Sequence, residues 1–152
     1  MFYERYNGRK MNAVGACIGA IVGLVAITPA AGFVTVQESV AIGFIAALVS
    51  NWAIARQSKS GLDDTLDVFP SHGVGGMVGM VLTGVFAADV GLTSGETDTF
   101  LWHLVALVGV AIFTFGASLL LFKLVDKAIP LRVTGWQETL GLDESQHGET
   151  VD

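Results

Sequence analysis

Charge is what this sequence has least of. Lys, Arg, Asp and Glu make up 14% of its 152 residues, against about 25% in a soluble domain, too few to cover a water-facing surface. Cysteine is nearly absent as well. Cys17 stands alone, which excludes an intrachain disulfide and the stapled secreted scaffolds that depend on one. The eight basic residues are dispersed along a chain of net charge -6. They form no phosphate-tracking stripe, so nucleic acid is not expected as a partner. Apolar residues are what is abundant, at 52% of the chain. The class these features define is membrane protein.

A helix needs roughly 20 mostly apolar residues to cross the hydrocarbon. Four stretches qualify, at about 11–28, 39–55, 66–87 and 99–125. The first two are near the short limit, and the last is long enough to tilt or project beyond the bilayer. None alternates as a barrel strand would. The expected fold is therefore an all-α polytopic bundle, with a transmembrane region over 1–130 and a polar tail over 131–152. A cleaved signal peptide is the rival reading of the first stretch, but its apolar core is long for one.

Basic residues orient the spans. Arg5, Arg9 and Lys10 precede the first span, Arg56 and Lys59 lie between the second and third, and Lys123, Lys127 and Arg132 close the fourth. The other two connections carry Glu38, Asp89, Glu96 and Asp98 and no Lys or Arg. The positive-inside rule thus predicts cytoplasmic termini and a cytoplasmic central loop. Gly15, Gly19 and Gly23, and again Gly75 and Gly79, recur every four residues, a spacing that lets helices in lipid approach closely.

Chemistry concentrates between Gly61 and Gly76. Asp63 and Asp64 fall at the cytoplasmic mouth of the third span, with Asp67 and His72 inside it. At a rise of about 1.5 Å per residue, His72 sits roughly 6 Å to the cytoplasmic side of the midpoint. An ionisable group at that depth is a functional candidate by default; the bland alternative is a neutral imidazole tying two helices together. Asp67 has two compatible readings, a carboxylate satisfying free N–H groups at a helix N-terminus or an attractor of cations below a pore. Asp63, Asp64 and Asp67 also spell an acidic pattern used for magnesium, but there is one copy and no basic cluster beside it. Ser71 next to His72 lacks the oxyanion site that a nucleophile would need. His103 and His147 stand apart, short of the ligands for a zinc site. No enzymatic activity, cofactor or metal is expected.

The run from Leu62 to Gly76, followed by Leu82 to Ala87, resembles the tenth helix of ammonium transporters of the Amt/MEP/Rh family. Gly23 to Phe33 resembles the end of their eighth helix. Leu131 to Val133 and Gly141 to Glu149 resemble their cytoplasmic tail, in the form found in the Amt branch. The resemblance implies an eleven-helix fold of which this chain holds helices eight to eleven, in a homotrimer with one pore per subunit. It further implies that His72 is the second of two pore histidines, with Asp67 about a turn below and the Thr28 hydroxyl near the pair.

On that resemblance the substrate is ammonium or ammonia, carried through an apolar, bilayer-embedded pathway formed by His72, Asp67, Thr28 and Val68. Asp63 and Asp64 would stand at its mouth. Gly141, Asp143, His147, Gly148 and Glu149 would form a regulatory tail, with a PII signalling protein as its possible partner. The family's first histidine, phenylalanine gate and outer recruitment site lie on helices outside these residues. A partial transporter lacking seven helices is therefore expected, the alternative being a non-conducting remnant that assists assembly or regulation.

Overall fold

The computed structural model describes residues 5, 6, 8, 10 and 13–150. The expected start of the first span at residues 11 and 12 lies outside them, as do Arg9 and the last two residues of the tail. Two compact units are present, Met1–Gly109 and Val110–Asp152. Helix is the only regular structure among the described residues.

The first unit begins with α1, Ala13–Ile27, which tightens into a 3₁₀ turn at Thr28–Ala30. Pro29 can sit in that turn but cannot continue the α-helix. The next helix, α2, spans Val36–Gln57, starting three residues before the expected boundary. The cause is a reciprocal cap. Thr35 and Glu38 exchange side-chain and backbone hydrogen bonds, the Thr35 N–H meeting Glu38 Oε2 at 2.7 Å, which occupies donors that the first turn leaves free.

The third span opens at Phe69, three residues later than expected, as a π turn over Phe69–Val74. It then runs on as α3, Gly75–Phe86. After a 3₁₀ turn at Leu92–Ser94 comes α4, Asp98–Ala128. This helix continues past the expected end at 125 and stops short of Pro130, whose ring disfavours helical geometry in the residue before it. All four segments are long and apolar enough to cross a membrane.

In the second unit, α4 is followed by a short helix α5, Gly135–Leu140, capped by Thr134 and Gln137. A π turn at Asp143–His147 comes next. Arg132 and Glu138 form an exposed ion pair at 3.0 Å.

The core of the first unit is made of small side chains. Val22, Ala26, Ala30, Ile42 and Ala46 are fully buried, with Ile18, Val78, Leu82 and Phe86 packed against them. Lipid offers no hydrophobic drive for helices to pair, so close backbone approach and dispersion must supply it. That approach is tightest at Gly79. A Cβ there would lie 2.8 Å from the Ala26 Cα and closer still to its carbonyl oxygen. At Gly84 a Cβ would meet Phe100 Cα at 3.1 Å, so α3 also lies close to the start of α4. Gly19, by contrast, has open space around it.

These contacts predict a sharp asymmetry between glycines. Gly79→Leu should destabilise the chain by about 1–3 kcal/mol or more, the range for overpacked sites, whereas Gly19→Ala should be neutral. Thermal unfolding in detergent measures both; equal midpoints would show that the α1–α3 approach does not hold the unit together.

Candidate functional site

The site is built where the third span begins. Asp64 stands just before it and turns both carboxylate oxygens to the chain. Val68 N–H donates to Oδ1 at 2.8 Å and Phe69 N–H to Oδ2 at 2.9 Å, while Gln57 Nε2 adds a bond to Oδ2 at 2.8 Å. Those bonds, led by the one from Phe69, hold the carboxyl below its ordinary value of 3.8. The role of helix-terminal carboxylate considered for Asp67 is therefore filled by Asp64. Asp67 itself has φ 50, a left-handed conformation uncommon for any residue but glycine. Its backbone kink places it next to the turn, with its own carboxylate making no hydrogen bond among the described residues. Asp63 accepts from Thr65 Oγ1 at 3.3 Å. Among the described residues no three His, Cys, Asp or Glu side chains converge on a metal position.

Pro70 follows in the first turn, where its missing N–H costs no helical bond. The Asp67 carbonyl, one turn back, then takes two donors from Ser71, the backbone N–H at 3.0 Å and the hydroxyl in a short hydrogen bond. A π turn is wider than an α turn by one residue, a feature often found at functional sites. Here it seats Pro70 and Ser71 in the interior and leaves His72 exposed. Gly73 permits the crowding, since a Cβ there would touch the Phe69 ring at 3.0 Å.

His72 lines a partly open groove of about 350 Å³ between α1 and the π turn. Val14, Ile18 and Ile21 form its α1 wall, and Leu66, Asp67, Val68 and Ser71 lie on the other side. The structure thus brings His72, Asp67 and Val68 to one cavity. Thr28, in the 3₁₀ turn after α1, is not among its lining residues, and its hydroxyl donates to the Leu24 carbonyl at 2.9 Å. Asp63 and Asp64 stay outside the groove. Ser71, which the sequence excludes as a nucleophile, has its hydroxyl 3.0 Å from His72 Nδ1. A serine adjacent to a membrane-embedded histidine was the available signal.

In the second unit, Gly141 closes α5 at φ 101 and donates its N–H to the Gln137 carbonyl at 3.0 Å. Gly148, at φ 68, donates to Glu144 O, and Glu149 N–H to Asp143 O. Gly141, Asp143 and Glu149 share a shallow cavity of about 290 Å³ with Glu144. His147 lies outside that lining.

Four helices of membrane-spanning length and apolar composition define a polytopic helical membrane protein, with a histidine and a carboxylate lining one groove. The profile described as Ammonium Transporter Family matches residues 1–152, and the chain belongs to that family. It is 43% identical over 150 residues to an ammonium transporter of Bacillus subtilis and 39% identical over 147 residues to ammonium transporter Amt1 of Archaeoglobus fulgidus. Each alignment takes in 93% of this chain, but 37% and 38% of those two proteins. The crystal structure of Saccharomyces cerevisiae Mep2 superposes with a TM-score of 0.78 at 35% identity, over 86% of this chain and 32% of that one. The chain thus spans about a third of the length of the curated relatives it matches.

The capping geometry yields a prediction for Asp64. A carboxylate whose folded value is lowered stabilises the fold above its unfolded value, and loses that contribution as pH falls through the folded one. Detergent-solubilised protein should therefore lose thermal stability in acid below the ordinary aspartate range. Asp64→Ala should remove that part of the acid dependence and lower the midpoint at neutral pH, and Asp64→Asn, which keeps one accepting oxygen, should fall between. A midpoint unchanged in Asp64→Ala would contradict the capping role.

Proposed function

We propose that this chain supplies one wall of a pathway for ammonium or ammonia across the membrane, within a transporter whose remaining helices complete the enclosure. The observation that carries this reading is the placement of His72 in a groove whose other walls are mainly apolar. A small cation in such surroundings is costly, whereas neutral ammonia is cheap. An imidazole suits the exchange between them, because one ring nitrogen can accept a proton while the other donates. Asp67 at the same groove adds a negative charge that draws cations to the entrance. Val68 and the α1 side chains keep the rest of the surface dry. Thr28 then acts farther along α1, and Asp63 and Asp64 mark the mouth.

The family membership and the share of its relatives' length that this chain covers support a partial transporter, corresponding to the last helices of the complete one. The distribution of Lys and Arg supports cytoplasmic termini and a cytoplasmic central loop. Assembly as a homotrimer, and regulation through Gly141, Asp143, His147, Gly148 and Glu149 by a PII-type partner, extend the same reading. No step requires covalent chemistry or a cofactor.

Reading the coding sequence upstream of Met1 tests the partial-transporter proposal. Seven further spans in frame, with a histidine in the fifth, support it, and an unrelated gene there favours a non-conducting remnant. In the complete transporter, His72→Ala should lower methylammonium uptake about tenfold or more, the scale of one hydrogen bond to a charged group, or change its coupling to protons. An unaltered uptake and proton coupling would remove His72 from the pathway. The 152 residues reconstituted alone in vesicles should carry no ammonium flux, because the groove is open along one side.

A further inference from the structure

We propose that the end of α2 binds the phosphate of an anionic phospholipid, held at the edge of the Arg56 guanidinium where it lies over Trp52. The guanidinium carbon is 5.2 Å from the centre of the indole ring, within range of a cation–π contact. Such a contact occupies the flat face of the guanidinium and leaves the N–H groups, which lie in its plane, free at the edge. That edge is the part that grips a phosphate through two parallel hydrogen bonds. Neither Arg56 nor Lys59, three residues on, makes an ion pair among the described residues. The indole N–H of Trp52 has no hydrogen-bond acceptor among them either.

The carboxylates that follow in sequence do not neutralise this end. Asp64 turns both oxygens to Val68, Phe69 and Gln57, and Asp63 accepts from Thr65. Two uncompensated positive charges thus stand at the end of a helix of 22 residues. At about 33 Å, that helix is close to the thickness of the hydrocarbon. Arg56 and Lys59 then fall at headgroup level, with Trp52 at the boundary where its amphipathic ring is favoured.

The rest of α2 points to a lipid as the source of the phosphate. Ile42, Ala46 and Ser50 are buried, whereas Phe44, Leu48 and Trp52 form an exposed ridge between them. Leu48 and Phe44 lie about 6 and 12 Å along the helix from Trp52, within the roughly 15 Å of one leaflet. An acyl chain leaving a phosphate at Arg56 runs along that ridge. A soluble anion would use Arg56 and Lys59 and leave the ridge bare. No residue of α2 lines the His72 groove, so the site is independent of the conduction reading. Gln57, next to Arg56, bonds Asp64 at 2.8 Å, which puts the lipid one residue from the contact that ties α2 to the third span.

Native mass spectrometry of the intact protein in detergent, titrated with phosphatidylglycerol or zwitterionic phosphatidylcholine, counts bound lipids and gives their affinities. Arg56→Gln should weaken one phosphatidylglycerol site per chain about tenfold or more, the scale of a charge-assisted hydrogen bond. Arg56→Lys keeps the charge without the planar fork, and Trp52→Leu keeps the guanidinium without its support; both should weaken the same site. Lys127→Gln, at the end of another helix, should leave it unchanged. Unaltered phosphatidylglycerol binding in Arg56→Gln overturns the proposal. So does an equal loss in Lys127→Gln, which would reveal diffuse charge attraction, or an equal loss of phosphatidylcholine. Displacement of the lipid by inorganic phosphate at the same concentration would assign the site to a soluble anion instead. If Arg56→Gln does not fold, Arg56→Lys decides, and full affinity there counts against the stacked arrangement.

Discussion

Inside hydrocarbon a backbone amide has no water to turn to, so each one must find its partner within the protein. The start of the third span is where this chain meets that demand under the greatest difficulty. Pro70 brings no N–H, and Asp67 sits at φ 50 immediately before the helix. The solution is distributed over several residues. Asp64 receives the N–H groups of Val68 and Phe69, the Asp67 carbonyl receives both donors of Ser71, and the turn widens to the π form. Each of these is a matter of backbone satisfaction, and together they decide which way His72 faces. The chemistry of the site is thus a by-product of how the span is begun.

Small residues set the other boundary of the groove. Gly79 against Ala26 brings α3 nearly into backbone contact with α1. A few residues earlier the widened turn moves away from regular α geometry, and bulkier Val14, Ile18 and Ile21 line the opening that remains. A tight crossing next to an irregular turn leaves a cavity beside them. Ser50, on α2, is fully buried beside the position a Gly75 Cβ would occupy, without a hydrogen-bond partner among the described residues. The long α4 contributes no buried residue. Its apolar surface accords with a chain that makes up about a third of its relatives' length, since a span of this kind needs lipid or further helices around it.

The four helices were legible because hydropathy reports burial in lipid directly, and that signal survives errors of a few residues. Boundaries were less so. Thr35 and Glu38 have the spacing of a capping box, and weighing that pattern would have started α2 at Val36. The third span was harder. Asp63, Asp64 and Asp67 are the same kind of residue within five positions, and composition cannot say which carboxylate caps the helix. Only the left-handed turn at Asp67 hands that part to Asp64. The π turn is invisible to periodicity, because one inserted residue shifts the pattern by less than a short apolar run can register. Pro70 announced an irregularity without giving its form. The sequence places His72, Asp67 and Val68 close along one span, and the structure brings them to one groove with Ser71, which sequence reasoning weighs only as a nucleophile.

A carboxylate and an imidazole do different things for a cation, and their order along the groove matters. A carboxylate in a poorly solvated place attracts ammonium strongly, but a site that only attracts also retains. A neutral imidazole offers a single accepting lone pair, which is enough to orient a small N–H donor and too little to trap it. On the proposed reading, removing the proton would leave a neutral amine, which apolar walls formed by Ile18, Ile21 and Val68 would no longer oppose. Such a division of labour needs no moving part. On the proposed reading it requires only that the ring stay at the groove, and the π turn that carries His72 places it there.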